Sequence, residues 1–202
     1  MLAGAAALAT AGGMLACQPA LATTGGHPAG TISQARPLYV QLPTKANGRL
    51  TITPQVVNQE INNANSKKCA EVAGWGTDNG DNVDQWTCFG DANQEWNFHL
   101  YTTLGTTVVV WITNVHSGKC LEVAGWGTGN GANVDQWECL KTPNGEPDGN
   151  QLWDLIPTTG GAYQYLNFHS SKVMEVVGEG KSNGDNVDQW EWNGGAHQQW
   201  TG

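Results

Sequence analysis

The chain has 202 residues, with 9 Lys plus Arg against 18 Asp plus Glu and a formal net charge of −9. So few basic residues, none of them clustered, exclude a nucleic-acid surface, which rests on many Lys and Arg contacts to phosphate. With 27 Gly and 10 Trp in a chain only 13% charged, the composition is that of a loop-rich β protein: a few large rings carry the packing and turns cut the strands short.

Taken in chain order, residues 1–22, "MLAGAAALATAGGMLACQPALA", are small and apolar and end in Ala20-Leu21-Ala22, an A-x-A cleavage pattern. They read as an export signal peptide, although no Lys or Arg precedes Arg36 to form the usual positive start. "MLAC" at 14 to 17 resembles a lipoprotein processing site, so anchoring through Cys17 is the alternative to release. The uninterrupted apolar stretch falls short of the roughly 20 residues a bilayer needs, and no membrane span is expected. Export predicts a secreted protein in an oxidising environment. Residues 23–55 are rich in Gly, Pro and Thr and read as a linker or N-terminal extension, with one strand near Leu50 to Thr53.

From residue 56 onward the chain repeats itself. "NSKKCAEVAGWGTDNGDNVDQWTC" (65 to 88), "HSGKCLEVAGWGTGNGANVDQWEC" (116 to 139) and "HSSKVMEVVGEGKSNGDNVDQWEW" (169 to 192) align without gaps. Each is followed by a Q-x-W: Gln94-Glu95-Trp96, Gln151-Leu152-Trp153 and Gln198-Gln199-Trp200. The spacing is 51 residues from Trp86 to Trp137 and 53 from Trp137 to Trp190. Within the second copy, residues 106–114, 120–124, 133–139 and 151–156 show the short alternating pattern of strands. Asn-Gly pairs (Asn79-Gly80, Asn130-Gly131, Asn183-Gly184) sit before the third strand, where a turn needs positive φ at low cost. Four strands in each of three copies predict an all-β domain with pseudo-threefold symmetry over residues 56–202. A propeller has four or more blades, so a β-trefoil, a closed barrel with a hairpin cap, is the better fit.

Three units ending in Q-x-W, with Cys-Leu-Glu-Val near the start and a second Cys after an aromatic, resemble the ricin B-type lectins and the family-13 carbohydrate-binding modules. The resemblance covers residues 57 to 202 and implies a β-trefoil that binds galactose- or xylose-type glycans at up to three shallow sites. Cys69 to Cys88 and Cys120 to Cys139 are each 19 apart, and the third copy replaces both members together, by Val173 and Trp192. Joint loss is what a pairwise bond predicts, so two disulfides within copies are expected. Neither the cysteines nor the five His have the close spacing of a metal site, and no cofactor is expected.

A sugar offers hydroxyls and a flat apolar face, so its site needs acceptors, donors and an aromatic platform together. The first copy offers Glu71, Asp84, Trp86, Asn93 and Gln94, the second Glu122, Asp135, Trp137, Asn150 and Gln151, the third Glu175, Asp188, Trp190, His197 and Gln198. The resemblance implies that the acids Glu71, Glu122 and Glu175 accept from sugar hydroxyls. It makes Trp86, Trp137 and Trp190 the platforms, and Asn93 and Asn150 polar partners. Two departures stand out: the family acid is usually Asp, and His197 replaces the Asn, which makes the third site the poorest of the three. In "NVDQW" the Val and Asp face opposite sides of a strand and the Trp shares the side of the Asp. If Val faces the core, Asp and Trp look outward as a sugar platform would. Asp84, Asp135 and Asp188 either serve that site or cap a local turn. Trp96, Trp153 and Trp200 are expected in the core, while Trp75 and Trp126, set between glycines, suggest a contact surface.

A catalytic reading would make Glu71 and Asp84 a glycosidase pair, but the pair recurs in every copy, as binding sites do and catalytic sites rarely do. A trefoil that binds protein is the other rival, since fold does not fix function. The expected protein is a monomeric, non-catalytic glycan binder.

Overall fold

The computed structural model describes residues 45–46, 49–50 and 55–202. The export segment and Cys17 lie outside the described residues, as does most of the expected linker. Two short strands within it, β1 (Lys45–Ala46) and β2 (Arg49–Leu50), pair antiparallel; the rest of the strand expected near Leu50 to Thr53 lies outside the described residues.

Thirteen further strands form one sheet. They are β3 (Gln55–Glu60), β4 (Asn62–Asn63), β5 (Cys69–Val72), β6 (Asp81–Trp86), β7 (Glu95–Leu104), β8 (Thr107–Asn114) and β9 (Cys120–Val123). After them come β10 (Ala132–Trp137), β11 (Leu152–Pro157), β12 (Tyr163–Asn167), β13 (Val173–Val176), β14 (Asp185–Trp190) and β15 (Trp200–Thr201). The four strands expected in the second copy are β8, β9, β10 and β11, each within a residue or two of its place. In addition, β6, β10 and β14 each pair with the other two, which three strands can do only around a common axis. Further along, β8 pairs with β11, and β15 joins β12 to β4.

The core lies where the repeated apolar positions converge. Trp96, Trp153 and Trp200 are fully buried, and each indole N–H donates to a backbone carbonyl, of Ala70 at 3.0 Å, Leu121 at 3.0 Å and Met174 at 2.9 Å. Burying a Trp without such a partner would leave a polar N–H unsatisfied. Val83, Val134 and Val187 are fully buried beside them. Ile61 and Ile112 correspond to Tyr165, the larger side chain, in the same copy that has Gly202 where Phe98 and Leu155 stand in the others.

Both expected disulfides are present, Cys69–Cys88 and Cys120–Cys139, with Cα–Cα separations of 5.1 Å. In the third copy Val173 takes the buried position and Trp192 the exposed one. Among the described residues one group of metal-ligating side chains gathers, Glu60 with Cys69 and Cys88, and its sulfurs are consumed by the disulfide. No helix among the described residues is long and apolar enough to cross a membrane.

Candidate functional site

The repeated pentapeptide Asn-Val-Asp-Gln-Trp has a separate task at every position. The Asn side chains form a closed ring: Asn82 Nδ2 donates to Asn186 Oδ1 (2.8 Å), Asn186 Nδ2 to Asn133 Oδ1 (2.9 Å), and Asn133 Nδ2 to Asn82 Oδ1 (2.9 Å). The Val residues enter the core. The Gln residues, fully buried, reach into the neighbouring copy: Gln136 Nε2 donates to the carbonyls of Gly76 and Asp78, both at 3.1 Å. Gln189 does the same to Gly127 and Gly129, and Gln85 to Gly180 and Ser182. Alternation thus places Asp and Trp together on the outward side, as the sequence suggests. Trp137 and Trp190 are 36% and 41% exposed, and Trp86 is half-buried. Each ring covers the Asn-Gly turn of another copy: a methyl on Gly80 would lie 3.6 Å from Trp137, one on Gly131 3.7 Å from Trp190, and one on Gly184 3.8 Å from Trp86.

The strand register sets the acids face to face. Glu71 is the cross-strand partner of Asp84, Glu122 of Asp135 and Glu175 of Asp188. Like charges directly opposite are destabilising, and all six carboxylates are buried. Burial foremost, with the neighbouring Glu charge adding to it, pushes Asp84, Asp135 and Asp188 up to about 7. In each of these Asp residues Oδ1 is buried without a hydrogen-bond partner. The reading of the Asp as a turn cap fails at this point. The turn before the strand is held by Asp81 and Asp185 instead, whose Oδ2 accepts from Asp78 N–H and Ser182 N–H at 2.7 Å. Gly76 makes room for that side chain, since a methyl there would run into the Asp81 carboxylate.

The Gln of each Q-x-W, expected to touch sugar, is fully buried with its amide saturated. Gln94 Nε2 donates to Glu71 Oε2 (2.7 Å) and the Thr87 carbonyl (2.9 Å), while its Oε1 accepts from Phe89 N–H (2.7 Å). Gln151 holds Glu122 at 2.7 Å and Gln198 holds Glu175 at 2.6 Å in the same way. These three position the acid, and their full burial keeps them from touching a ligand. Asn93 and Asn150 are also buried, donating to the carbonyls of Val72 and Val123 at 3.2 Å. Their Oδ1 atoms, however, have no partner, so each keeps one acceptor. His197 stands in the corresponding place in the third copy, with Nε2 3.3 Å from Glu175 Oε2.

The loop that follows the Glu strand carries a strained residue in every copy. Trp75, Trp126 and Glu179 have φ of 61°, 59° and 60°, a left-handed conformation uncommon for a non-glycine side chain and one that concentrates at ligand-binding positions. Trp126 is 44% exposed. Both rings rest edge-on against a histidine of the next copy, Trp75 on His116 at 5.1 Å and Trp126 on His169 at 4.9 Å. In the third copy Glu175, Asp188, Trp190 and His197 come together with the loop Val177–Glu179 and Asn193 around an open cleft of about 390 Å³. His197, which replaces the Asn of the other copies, lines this cleft with its ring against Glu175.

A family model described as ricin-type beta-trefoil lectin domain-like matches residues 46–137 and 149–202. The chain belongs to this family. Its ricin-type fold is shared with the designed threefold-symmetric protein ThreeFoil, 32% identical with a TM-score of 0.63, over 70% of this chain and 94% of that one. An exo-beta-1,3-galactanase from Clostridium thermocellum is 28% identical with a TM-score of 0.62, over 70% of this chain but 29% of the galactanase. The Rhizoctonia solani agglutinin shares the fold at 16% identity and a TM-score of 0.59, over 76% of this chain and 97% of the agglutinin. A comparison with curated proteins finds no match. In this ricin-type domain sequence reasoning overlooked the Asn ring, the inter-copy Gln clamp and the His edges. Their signal was present, since Asn and Gln recur in all three copies, but alternation alone assigns a side and names no partner.

Proposed function

We propose that this ricin-type domain is a secreted, non-catalytic carbohydrate-binding unit built as three four-stranded copies over residues 56–202, with a shallow site in each. The observation that carries the reading is the same in every copy. An Asp carboxylate lies on the same strand face as a Trp ring, exposed at Trp137 and Trp190 and half-buried at Trp86. Sugar hydroxyls would donate to the carboxylates at the rim of this face, and the sugar's apolar face would cover the ring. Glu71, Glu122 and Glu175 are the companion acceptors, fixed by their Gln, and Asn93 and Asn150 supply a further acceptor. The two disulfides fit an oxidising, extracellular setting. Recurrence of the acid pair favours binding over turnover, and the galactose- and xylose-type sugars implied by the sequence remain the first candidates.

A single shallow site binds at about millimolar to tens of micromolar, and several on one polymer raise the apparent affinity through effective concentration. Trp86→Ala, Trp137→Ala and Trp190→Ala are each expected to reduce retention on polysaccharide in affinity electrophoresis while leaving the far-ultraviolet circular dichroism unchanged. Failure of the unaltered protein to bind any member of a glycan and polysaccharide array would refute the reading. A second arrangement, a binding module within a longer secreted glycoside hydrolase, is favoured by the galactanase, of which the similarity covers 29%.

A further inference from the structure

We propose that the cleft of the third copy recognises a protonated amino sugar, a glycan unit carrying a free ammonium group, in preference to its neutral or N-acetylated counterpart; this rests on the carbohydrate reading above. Three carboxylates, Glu175, Glu179 and Asp188, line one cleft with the exposed Trp190, and no Lys or Arg lines it. Glu179 is peculiar to this copy, where Trp75 and Trp126 occupy the same loop position in the others. Asp188 is 6% exposed and keeps an unpartnered Oδ1.

The cations available from the protein do not settle this charge. Lys172 is engaged with Glu191 at 3.4 Å, and Lys181, though next but one to Glu179 in the chain, does not line the cleft. His197 faces Glu175 at 3.3 Å and is the one cleft residue able to become cationic. Glu175 Oε2 accepts from Gln198 at 2.6 Å, and Glu179, exposed at the cleft, presents its carboxylate to an incoming donor. An ammonium group brings three N–H donors and a positive charge at once, and Trp190 adds a cation–π surface for it. Burial and the Glu175 charge push Asp188 up to about 7. An incoming cation favours the ionised form, so binding of the amino sugar releases a proton near neutrality.

The test is isothermal titration of the full chain at low ionic strength and pH 6.5 with three probes: a short oligosaccharide of 2-amino-2-deoxyglucose, the same oligosaccharide fully N-acetylated, and galactose. The amino form is expected to bind about tenfold more tightly than the acetylated form, the order of one charge-assisted hydrogen bond. Glu179→Gln, and separately Glu179→Trp, should reduce that preference by about threefold to tenfold. Neither change touches the core, since Glu179 is exposed. Glu146→Gln, which removes an equal charge outside the cleft, should leave the preference unchanged. Equal binding of amino and acetylated forms, or an equal loss in Glu146→Gln, overturns the proposal while galactose binding preserves the carbohydrate reading. Absence of binding by all three sugars refutes both.

Discussion

At the scale of single residues, the site is built by placing groups where they cost stability. Asp84, Asp135 and Asp188 face a Glu across the ladder and are pushed up to about 7. A carboxyl whose pKa is raised on folding binds more protons in the native than in the unfolded state between its ordinary value near 4 and about 7. Its contribution to stability therefore falls as pH rises through that window. Thermal unfolding is expected to show a midpoint that declines from pH 5 to pH 8. The Asp84→Asn, Asp135→Asn, Asp188→Asn triple variant should flatten the decline; an unchanged slope would show that these carboxyls titrate normally. The Q-x-W glutamines make the complementary case. Gln94→Ala removes three hydrogen bonds, from Phe89 N–H and to Glu71 and the Thr87 carbonyl, so chemical denaturation should register a loss of about 1–3 kcal/mol together with weaker sugar binding.

Among the elements, the copies hold one another's loops. The amide of Gln136, on β10, anchors Gly76 and Asp78 in the first copy, and Asn79 Oδ1 accepts from Glu138 N–H at 2.9 Å. The loop bearing Trp75 is thus fastened by the second copy as well as by Asp81 of its own. Gln136→Ala should increase hydrogen exchange at residues 76–81 while leaving residues 127–132, which depend on Gln189, protected. Exchange confined to the second copy's own loop would contradict this wiring. The clamp also explains why Asn-Gly recurs where it does. Gly80 adopts φ 87° so that its N–H can donate to the Gln136 carbonyl at 2.8 Å.

For the molecule as a whole, closure is cyclic: the Asn ring, the Gln clamps and the mutual pairing of β6, β10 and β14 each run from copy to copy. Two copies carry a disulfide and the third does not. Removing one with a Cys120→Ser, Cys139→Ser pair should lower unfolding free energy by about 3 kcal/mol on the chain-entropy estimate for a loop of this length, read by denaturant titration under oxidising conditions. The strands of the second copy, the alternation that turns Val inward, and the cysteine pairs were all legible in the residues, because each is a regularity along the chain. The burial of Gln94, Gln151 and Gln198 was not, since a polar residue in a motif gives no sign of whether its amide meets solvent or backbone. The contact between His197 and Glu175 was likewise illegible, because a His in place of the Asn gives no sign of the partner it meets. By itself the sequence determined the repeat, the strand alternation and the set of side chains available, all local or periodic properties. Which of those side chains meet one another across the fold was decided by tertiary structure, because the partners lie between about fifty and about a hundred residues apart along the chain and meet only when the sheet closes.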